Sequence, residues 1–343
     1  MKAQVIEELG DTSVFKEVDL PKPEVIPGHI LIRVFASSVN PLDYVIRDPK
    51  YMTYITDERY AQAFSQAIVP DLPAVIHGDV AGVVEEVGEG VNKFQPGDEV
   101  YACAGGLRGF GGALADYMLV DADLAALKPK SLTMAETAAL PLVAITAWLA
   151  LIDRVQIKPG QNVLVHAATG GVGHIGLQLA KWVGAKVFTT ASSEKKLAIA
   201  YELGADVAIN YRTQTVAEYV KEYTDGKGFD VVFDTIGFDN LDRSFEAVAV
   251  NGIVATTMAW NNHDLSPVHL KGVTLHAVWW EISMLYGIDR AHHGEILAKL
   301  SQLIDEGKIR PLIDPKSFSF ADIAAAHQYA ESGQAIGKIT LTR

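Results

Sequence analysis

Asn162-Val-Leu-Val-His-Ala-Ala-Thr-Gly-Gly-Val-Gly-His-Ile-Gly176 is the stretch that decides the fold. Val163, Leu164 and Val165 form an unbroken apolar run, the pattern of a short parallel strand covered on both faces. A glycine-rich turn follows. Val172, Ile175, Leu179 and Val183 then recur at helical spacing. Gly171, Gly173 and Gly176 complete a G-x-G-x-x-G pattern, the fingerprint of a dinucleotide pyrophosphate site. In a chain with 29 glycines the three positions alone say little. Their place between a strand and a helix gives them weight. One glycine permits the tight turn, one lets the backbone approach the pyrophosphate, and the third lets the helix pack on the strand. Free N–H groups at the helix start face the anion. Lys186 to Thr190 supplies the next strand and closes a βαβ unit.

Working outward, strand and helix alternate downstream. Helices are expected at Glu194 to Leu203, stopped by Gly204, at Val216 to Tyr223 and at Leu241 to Val250. Further strands are expected at Val207 to Asn210, Phe229 to Asp234, Gly252 to Thr257 and Gly272 to Val278. Six strands with crossover helices make a complete doubly wound parallel sheet. Upstream, residues 1 to about 125 read as β-rich. Ile30 to Phe35, Val80 to Val87 and Tyr117 to Val120 are separated by Pro27-Gly28, Gly88, Gly90 and Pro96-Gly-Asp98. A short helix is expected near Asp57 to Ile68. Thr133-Met-Ala-Glu136 fits a capping box, and Pro141 ends or kinks that helix before Leu142 to Ile152 resumes it. Gly294 to Glu306 reads as an amphipathic helix.

The bulk properties set limits. At 343 residues and 49% hydrophobic content the chain can bury a sizeable core, and two domains are expected. A net charge of −13 argues against nucleic acid or an anionic membrane as a partner. Positive charge for an anionic cofactor must therefore be local. Cys103 is the only cysteine, which excludes an intrachain disulfide and a cysteine-based zinc cluster. The N-terminus reads without a signal peptide and nothing reaches membrane-spanning length, so a soluble, cytoplasmic protein is expected.

Ordered motifs along nearly the whole chain resemble the medium-chain dehydrogenase/reductases, and within them the zinc-independent quinone oxidoreductases. They are Ser38-Val-Asn-Pro-Leu-Asp43, His77-Gly-Asp-Val-Ala-Gly-Val-Val84, Phe94-Gln-Pro-Gly-Asp-Glu-Val100, Gly111-Gly-Ala-Leu-Ala-Asp-Tyr117, Ala139-Leu-Pro141 with Thr146-Ala147, and Ala167 to Gly173. Glu202-Leu-Gly-Ala-Asp206, Asn210-Tyr211 and Gly337-Lys338 complete the set. The resemblance implies an α/β protein with a GroES-like β-rich domain and a doubly wound Rossmann domain, the active site lying in the cleft that they enclose. The GroES-like domain is expected at 1–125, completed by 283–343, and the Rossmann domain at 126–282. A homodimer through Rossmann edge strands, such as Gly272 to Val278, is implied as well.

The residue ending the second Rossmann strand separates the two nicotinamide cofactors, because a carboxylate there bonds the ribose of NAD and repels a 2′-phosphate. Here the position holds Ala191, followed by Ser192-Ser-Glu-Lys-Lys196. Hydroxyls and lysines suit a phosphate. The resemblance implies that Lys196 and Tyr211 hold the phosphate-bearing end, so NADP(H) is expected. The pyrophosphate falls to Gly170, Gly171, Val172, Gly173 and Gly176, the 2′-phosphate end to Ser192, Ser193, Lys196 and Tyr211. Thr146 resembles a family threonine at the cofactor, and Lys338 is expected to approach it from the tail.

No metal is expected. A catalytic zinc needs three protein ligands, yet the Ser38-to-Asn40 region has no cysteine and Gly78 stands where a ligand histidine would sit. His77, one place displaced, reads as a solvated or backbone-bonded histidine. Without a Lewis acid an electron-poor acceptor presents the lower barrier. A quinone or an α,β-unsaturated carbonyl accepts hydride while charge develops on oxygen, which needs only hydrogen-bond donors and a proton. NADPH-dependent reduction of such an acceptor is the expected activity. An enoyl-thioester reductase and an NADPH-binding sensor or structural protein are the alternatives.

Asn40 is expected near the nicotinamide, where its amide orients the cofactor or donates to substrate oxygen; the plainer reading is an asparagine bonding its own turn. Tyr44 can donate a phenolic proton, although many relatives carry the tyrosine one position later, at Val45 here. Tyr51 and Tyr54 are alternatives. Arg47 and Arg108 could meet an acidic substrate; the plainer reading is isolated surface arginines. The segments Tyr51 to Leu72 and Leu107-Arg-Gly-Phe-Gly-Gly112 exceed the family pattern. With Trp260 and Trp279-Trp280 they are expected to shape an apolar acceptor pocket, the plainer reading of Trp279 and Trp280 being core or subunit-interface residues.

Overall fold

The computed structural model describes residues 1–53 and 55–343. The chain divides into two units. Unit 1 comprises Met1–Leu142, Glu281–Gly307 and Ile313–Arg343; unit 2 comprises Val143–Trp280 and Lys308–Leu312. Unit 1 opens with strands β1 (Lys2–Ile6), β2 (Phe15–Asp19) and β3 (His29–Ser38), then helices α1 (Pro41–Arg47) and α2 (Glu58–Ile68). Strands β4 (Asp79–Val87), β5 (Glu99–Cys103), β6 (Tyr117–Asp121) and β7 (Ala125–Leu127) and helix α3 (Met134–Ala138) follow. Helix α4 (Pro141–Trp148) leads into unit 2. There strands β8 (Asn162–His166), β9 (Lys186–Ala191), β10 (Val207–Asn210), β11 (Phe229–Asp234), β12 (Val248–Thr256) and β13 (Thr274–Ala277) alternate with α5 (Gly171–Val183), α6 (Glu194–Glu202), α7 (Val216–Thr224), α8 (Asp239–Ala247) and α9 (Ser266–Lys271). The chain ends in unit 1 with α10 (Glu281–Tyr286), α11 (Arg290–Asp305), β14 (Phe318–Ser319), α12 (Ile323–Glu331) and β15 (Thr340–Thr342).

Unit 2 is a six-stranded parallel sheet in the order β10-β9-β8-β11-β12-β13, the doubly wound order expected from the sequence. β8 sits inside it, with Val163, Leu164 and Val165 fully buried. Phe188 and Phe229 meet edge to face, 5.0 Å between centroids, in a core with Phe245, Leu164 and Val232. Each such phenyl contributes roughly 1.5–3 kcal/mol by burial.

Unit 1 carries a sheet in the order β14-β15-β3-β4-β5-β7, with β6 pairing β3 and a separate β1-β2 hairpin. Its pairings are antiparallel apart from β14-β15. The tail strand β15 lies on β3, Leu341 opposite Ser37. That pairing brings Lys338 beside Asn40.

Local chemistry explains most boundaries. Thr133 and Glu136 form the expected capping box on α3. Pro141 starts α4, and the helix then loosens into a π-turn over Leu149–Arg154, closed by Val155 N–H donating to the Ala150 carbonyl at 3.0 Å. Val248 to Val250, expected to end a helix, instead begin β12. Val248 pairs with Phe229, and two valines at alternate positions suit a strand better than a helix end. Short α9 and α10, six residues each, and the alanine-rich α12 carry too little periodicity to be read in advance. Among the described residues no helix is long and apolar enough to cross a membrane.

Candidate functional site

In unit 2 the fingerprint folds as strand, turn and helix. The residue that takes the left-handed conformation in the turn is Ala167 (φ 57°), not one of the glycines. The glycines instead make room. A Cβ at Gly173 would stand 2.1 Å from the Ala167 carbonyl oxygen, and one at Gly176 would stand 2.8 Å from the Phe233 ring of β11. Gly170 occupies the N-cap of α5 and sends no side chain over the first turn. The N–H groups of Gly171, Val172 and Gly173 are thereby left for an anion.

One strand over, the register sets Asn210 opposite Ala191, so the ends of β9 and β10 lie side by side. Tyr211 N–H donates to the Ala191 carbonyl at 3.2 Å, and the Tyr211 side chain is 46% exposed. Ser193 caps α6, its Oγ accepting from Lys196 N–H at 3.4 Å. Ser192, Ser193, Lys196 and Tyr211 thus gather at one edge. Among the described residues the Lys196 ammonium has no ion-pair partner. The group has the chemistry a 2′-phosphate requires: a cation, hydroxyl donors and no carboxylate at position 191. Thr146, also in unit 2, is buried on α4.

Unit 1 holds a buried polar chain. Asn40, 1% exposed, donates from Nδ2 to Asp79 Oδ2 at 2.8 Å, and its Oδ1 accepts a short hydrogen bond from Lys338 Nζ. Lys338 Nζ also donates to the Val39 carbonyl at 3.0 Å and stands 3.7 Å from Asp79 Oδ2. Asp79 further accepts from Ser38 Oγ at 2.7 Å and Leu142 N–H at 2.8 Å. The Asn40 backbone N–H donates to Asp43 Oδ2 at 2.7 Å.

A second branch runs through two histidines. Arg47, fully buried, donates from its guanidinium to His327 Nδ1 at 2.9 Å and to Glu331 at 2.7 Å. Because arginine only donates, His327 must carry its proton on Nε2. That proton goes to His77 Nε2 at 2.9 Å, so His77 is protonated on Nδ1, which faces Ser37 Oγ at 3.3 Å. Ser37 in turn donates to the Asp79 carbonyl oxygen at 2.7 Å. One arginine therefore sets the tautomer of both rings.

Burial governs the titration here. It lowers His77 to about 3, assisted by the nearby Lys338 charge, and holds His327 well below the ordinary range. It also pushes Asp43 up to about 8, against the opposing hydrogen bond from Asn40. Lys338 is lowered by burial, while Asp79 and Asp43 hold it up. At neutral pH both imidazoles are uncharged and Asp43 is largely protonated.

Comparison with known proteins agrees with this layout. Residues 26–130 match the alcohol dehydrogenase GroES-like domain, and residues 203–341 match a family described as zinc-binding dehydrogenase. An Arabidopsis thaliana chloroplastic NADPH-dependent alkenal/one oxidoreductase is 35% identical over 99% of this chain and 79% of its own length. The chain belongs to the medium-chain dehydrogenase/reductase superfamily, quinone oxidoreductase type. Two solved structures of the superfamily span the chain completely. One is an alcohol dehydrogenase superfamily protein from Novosphingobium aromaticivorans (38% identity, TM-score 0.91, 99% of that chain). The other is the Escherichia coli quinone oxidoreductase complexed with NADPH (27% identity, TM-score 0.85, 100% of that chain).

The second family description raises zinc, and the residues present do not fit it. The resemblance puts a ligand cysteine in the Ser38-to-Asn40 region, which has none, and a ligand histidine at Gly78. A Cβ at Gly78 would meet the Gly105 carbonyl oxygen at 2.9 Å and Cys103 Sγ at 3.1 Å, so the space for a ligand side chain is filled. Among the described residues no three of His, Cys, Asp and Glu converge as a metal site needs.

Several expectations change. His77 is not solvated: its ring is enclosed and bonded at both nitrogens. Arg47 is not a surface arginine but the buried donor that organises the histidines. Asn40 closes its own turn in a capping box with Asp43, and its carboxamide also bridges Asp79 and Lys338. Lys338 is 3% exposed, and its ammonium faces Asn40 and Val39. Tyr44 is half-buried beside Tyr51, 4.9 Å between ring centroids, and Tyr51 Oη donates to Glu331 at 2.7 Å. Tyr54 lies outside the described residues. Sequence reasoning missed Asp43, Asp79 and His327. Asp43 had a local signal, the Asn40-x-x-Asp43 spacing of a capping box; His327 had none.

Proposed function

We propose that this protein is an NADPH-dependent reductase of α,β-unsaturated carbonyls and quinones that works without zinc. The observation that supports this reading is the group Ala191, Ser192, Ser193, Lys196 and Tyr211, which offers a lysine and hydroxyls, with no carboxylate at 191, on an otherwise acidic chain. The relative from Arabidopsis is named for NADPH and for alkenals, and the E. coli structure contains NADPH. Bound NADPH supplies the hydride. The open N–H groups of Gly171, Val172 and Gly173 hold the pyrophosphate, with Gly170 giving the close approach and Gly176 letting α5 pack on Phe233. Lys196, Ser192, Ser193 and Tyr211 hold the 2′-phosphate, and Thr146 supports the cofactor from α4. In unit 1, Asn40 presents a donor to the oxygen on which charge develops, and Tyr44 Oη holds a proton for the product. Titration of the protein with NADPH and NADH, followed by fluorescence, tests the cofactor choice. NADPH binds at least tenfold more tightly in this account, and equal affinities contradict it.

The two insertions belong to this reading. Arg108, in the second, caps the C-terminal end of α2 in the first, donating from its backbone to Ile68 and from its guanidinium to Gln66 (3.1 and 2.7 Å). Held together in this way, residues 51–72 and 107–112 act as one element that selects the acceptor. A second copy pairing along β13, the edge of the unit 2 sheet, makes a homodimer; a monomer by sedimentation contradicts that part. Cytoplasmic residence completes the proposal, and cell fractionation tests it.

A further inference from the structure

Lys338 and Asn40 are 298 residues apart in sequence and in contact in the fold. The carboxamide of Asn40 is held at both ends by opposite charges: a buried ammonium on its oxygen and the Asp79 carboxyl on its nitrogen. Only one flip of the amide satisfies both, because the reverse would face NH₂ to the ammonium and oxygen to the carboxyl. The nitrogen carries two hydrogens, one of which goes to Asp79. The other is directed to the Asp43 carboxyl, which the Asn40 side chain also hydrogen-bonds. A cation on the carbonyl oxygen draws electron density from the C–N unit and makes both N–H groups stronger donors, an effect enlarged where water is excluded.

We propose that Lys338 is a positioning residue that fixes the orientation of the Asn40 carboxamide and polarises its N–H donors, rather than a ligand of the cofactor phosphates. Its ammonium is 3% exposed and already spends hydrogen bonds on Asn40 Oδ1 and the Val39 carbonyl. Asp79 is the counter-charge that makes burial of the cation tolerable; removing one partner alone strands the other. The inference rests on the reductase reading given above and assigns the residue behind its oxygen-facing donor.

The experiment compares Lys338→Met, Lys338→Arg, Asn40→Ala and the double variant Asn40→Ala/Lys338→Met. Lys338→Met/Asp79→Asn serves as the charge-balanced form where the single variant fails to fold. The first readout needs no turnover. In the cofactor-free protein the Asn40 side-chain NH₂ resonance, assigned by its loss in Asn40→Ala, shifts in Lys338→Met and returns toward the native position in Lys338→Arg. The second is kinetic. In Lys338→Met, kcat for an enone falls roughly tenfold or more while Kd for NADPH stays within about twofold, and the double variant is no slower than Asn40→Ala alone. An unmoved Asn40 resonance, additive losses in kcat, or a raised NADPH Kd with kcat intact overturns the proposal. A wild-type protein that reduces no enone or quinone refutes the reductase reading instead, and the resonance readout still decides whether Lys338 orients Asn40.

Discussion

Lys196 and Tyr211 lie at the ends of elements that the sequence marks plainly, Ala191 closing one strand and Asn210 the next. A local pattern is enough to propose them as holders of the phosphate. Replacing Lys196 with Ala removes a charge-assisted contact, and NADPH Kd rises roughly tenfold; NADH Kd, measured alongside, stays the same, and a parallel rise in both contradicts the assignment. The buried chain in unit 1 was not legible in this way. Arg47 and His327 are 280 residues apart, and Arg47 on its own looks like any surface arginine. Only the fold shows that it dictates two histidine tautomers. The titration of this chain has consequences with opposite signs. Below about 6.5 an unfolded chain protonates histidines that the folded rings refuse down to about 3 in the case of His77. Their contribution is therefore fully present above pH 6.5 and is lost as pH falls. Asp43 behaves inversely, since the folded chain keeps its proton up to about 8 against 3.8 when unfolded. Its contribution is present below 3.8 and is lost as pH rises toward 8. Asp43→Asn keeps an acceptor for the Asn40 N–H and removes this loss. Urea midpoints for Asp43→Asn and wild type should diverge in favour of the variant between pH 4 and 8, and a constant difference would disprove the burial of a protonated carboxyl.

Most elements of unit 2 are legible in the sequence, because parallel strands are apolar runs and their helices begin and end with caps and glycines. The turn after β8 shows where pattern and mechanism part. Three glycines announced a dinucleotide site, yet the left-handed residue is Ala167 and the glycines act through space. Gly173→Ala would place a methyl 2.1 Å from backbone that cannot swing aside. It should cost about 1–3 kcal/mol of stability and weaken NADPH binding. Gly111→Ala, with nothing within 4 Å of its Cβ, is the control and stays within about 0.5 kcal/mol. Chemical denaturation compares the two, and equal losses would sink the packing argument. Segments with a weak period were lost or misread: α9 and α10 are too short, α12 too small-sided, and Val248 to Val250 joined a sheet instead of extending a helix. The expected helix at 57–68 did form, because Asp57 caps it, its carboxyl accepting from Arg59 N–H. Its far end depends on the second insertion. In Arg108→Ala, hydrogen exchange of the amides from Gln66 to Val69 should quicken and acceptor KM should rise with NADPH Kd unchanged. Unaltered exchange would separate the two insertions again.

At the scale of the whole molecule, family membership follows from motifs spread over both units, and the two family models together cover residues 26–130 and 203–341. What membership leaves open is the chemistry, since the superfamily includes zinc-dependent and zinc-independent members. Here the residues decide. Asn40 bridges Lys338 and Asp79, Gly78 has no space for a side chain, and Ala191, followed by two serines, stands where an NAD-specific carboxylate would. The central claim is that this chain delivers hydride from NADPH to conjugated acceptors without a metal. Its most direct test is the rate of NADPH consumption across enones, alkenals and quinones, with NADP⁺ reduction by simple alcohols measured beside it, before and after exhaustive chelation. The account predicts turnover of conjugated acceptors, untouched by the chelator and absent with alcohols; oxidation of simple alcohols that chelation abolishes and zinc restores would contradict it.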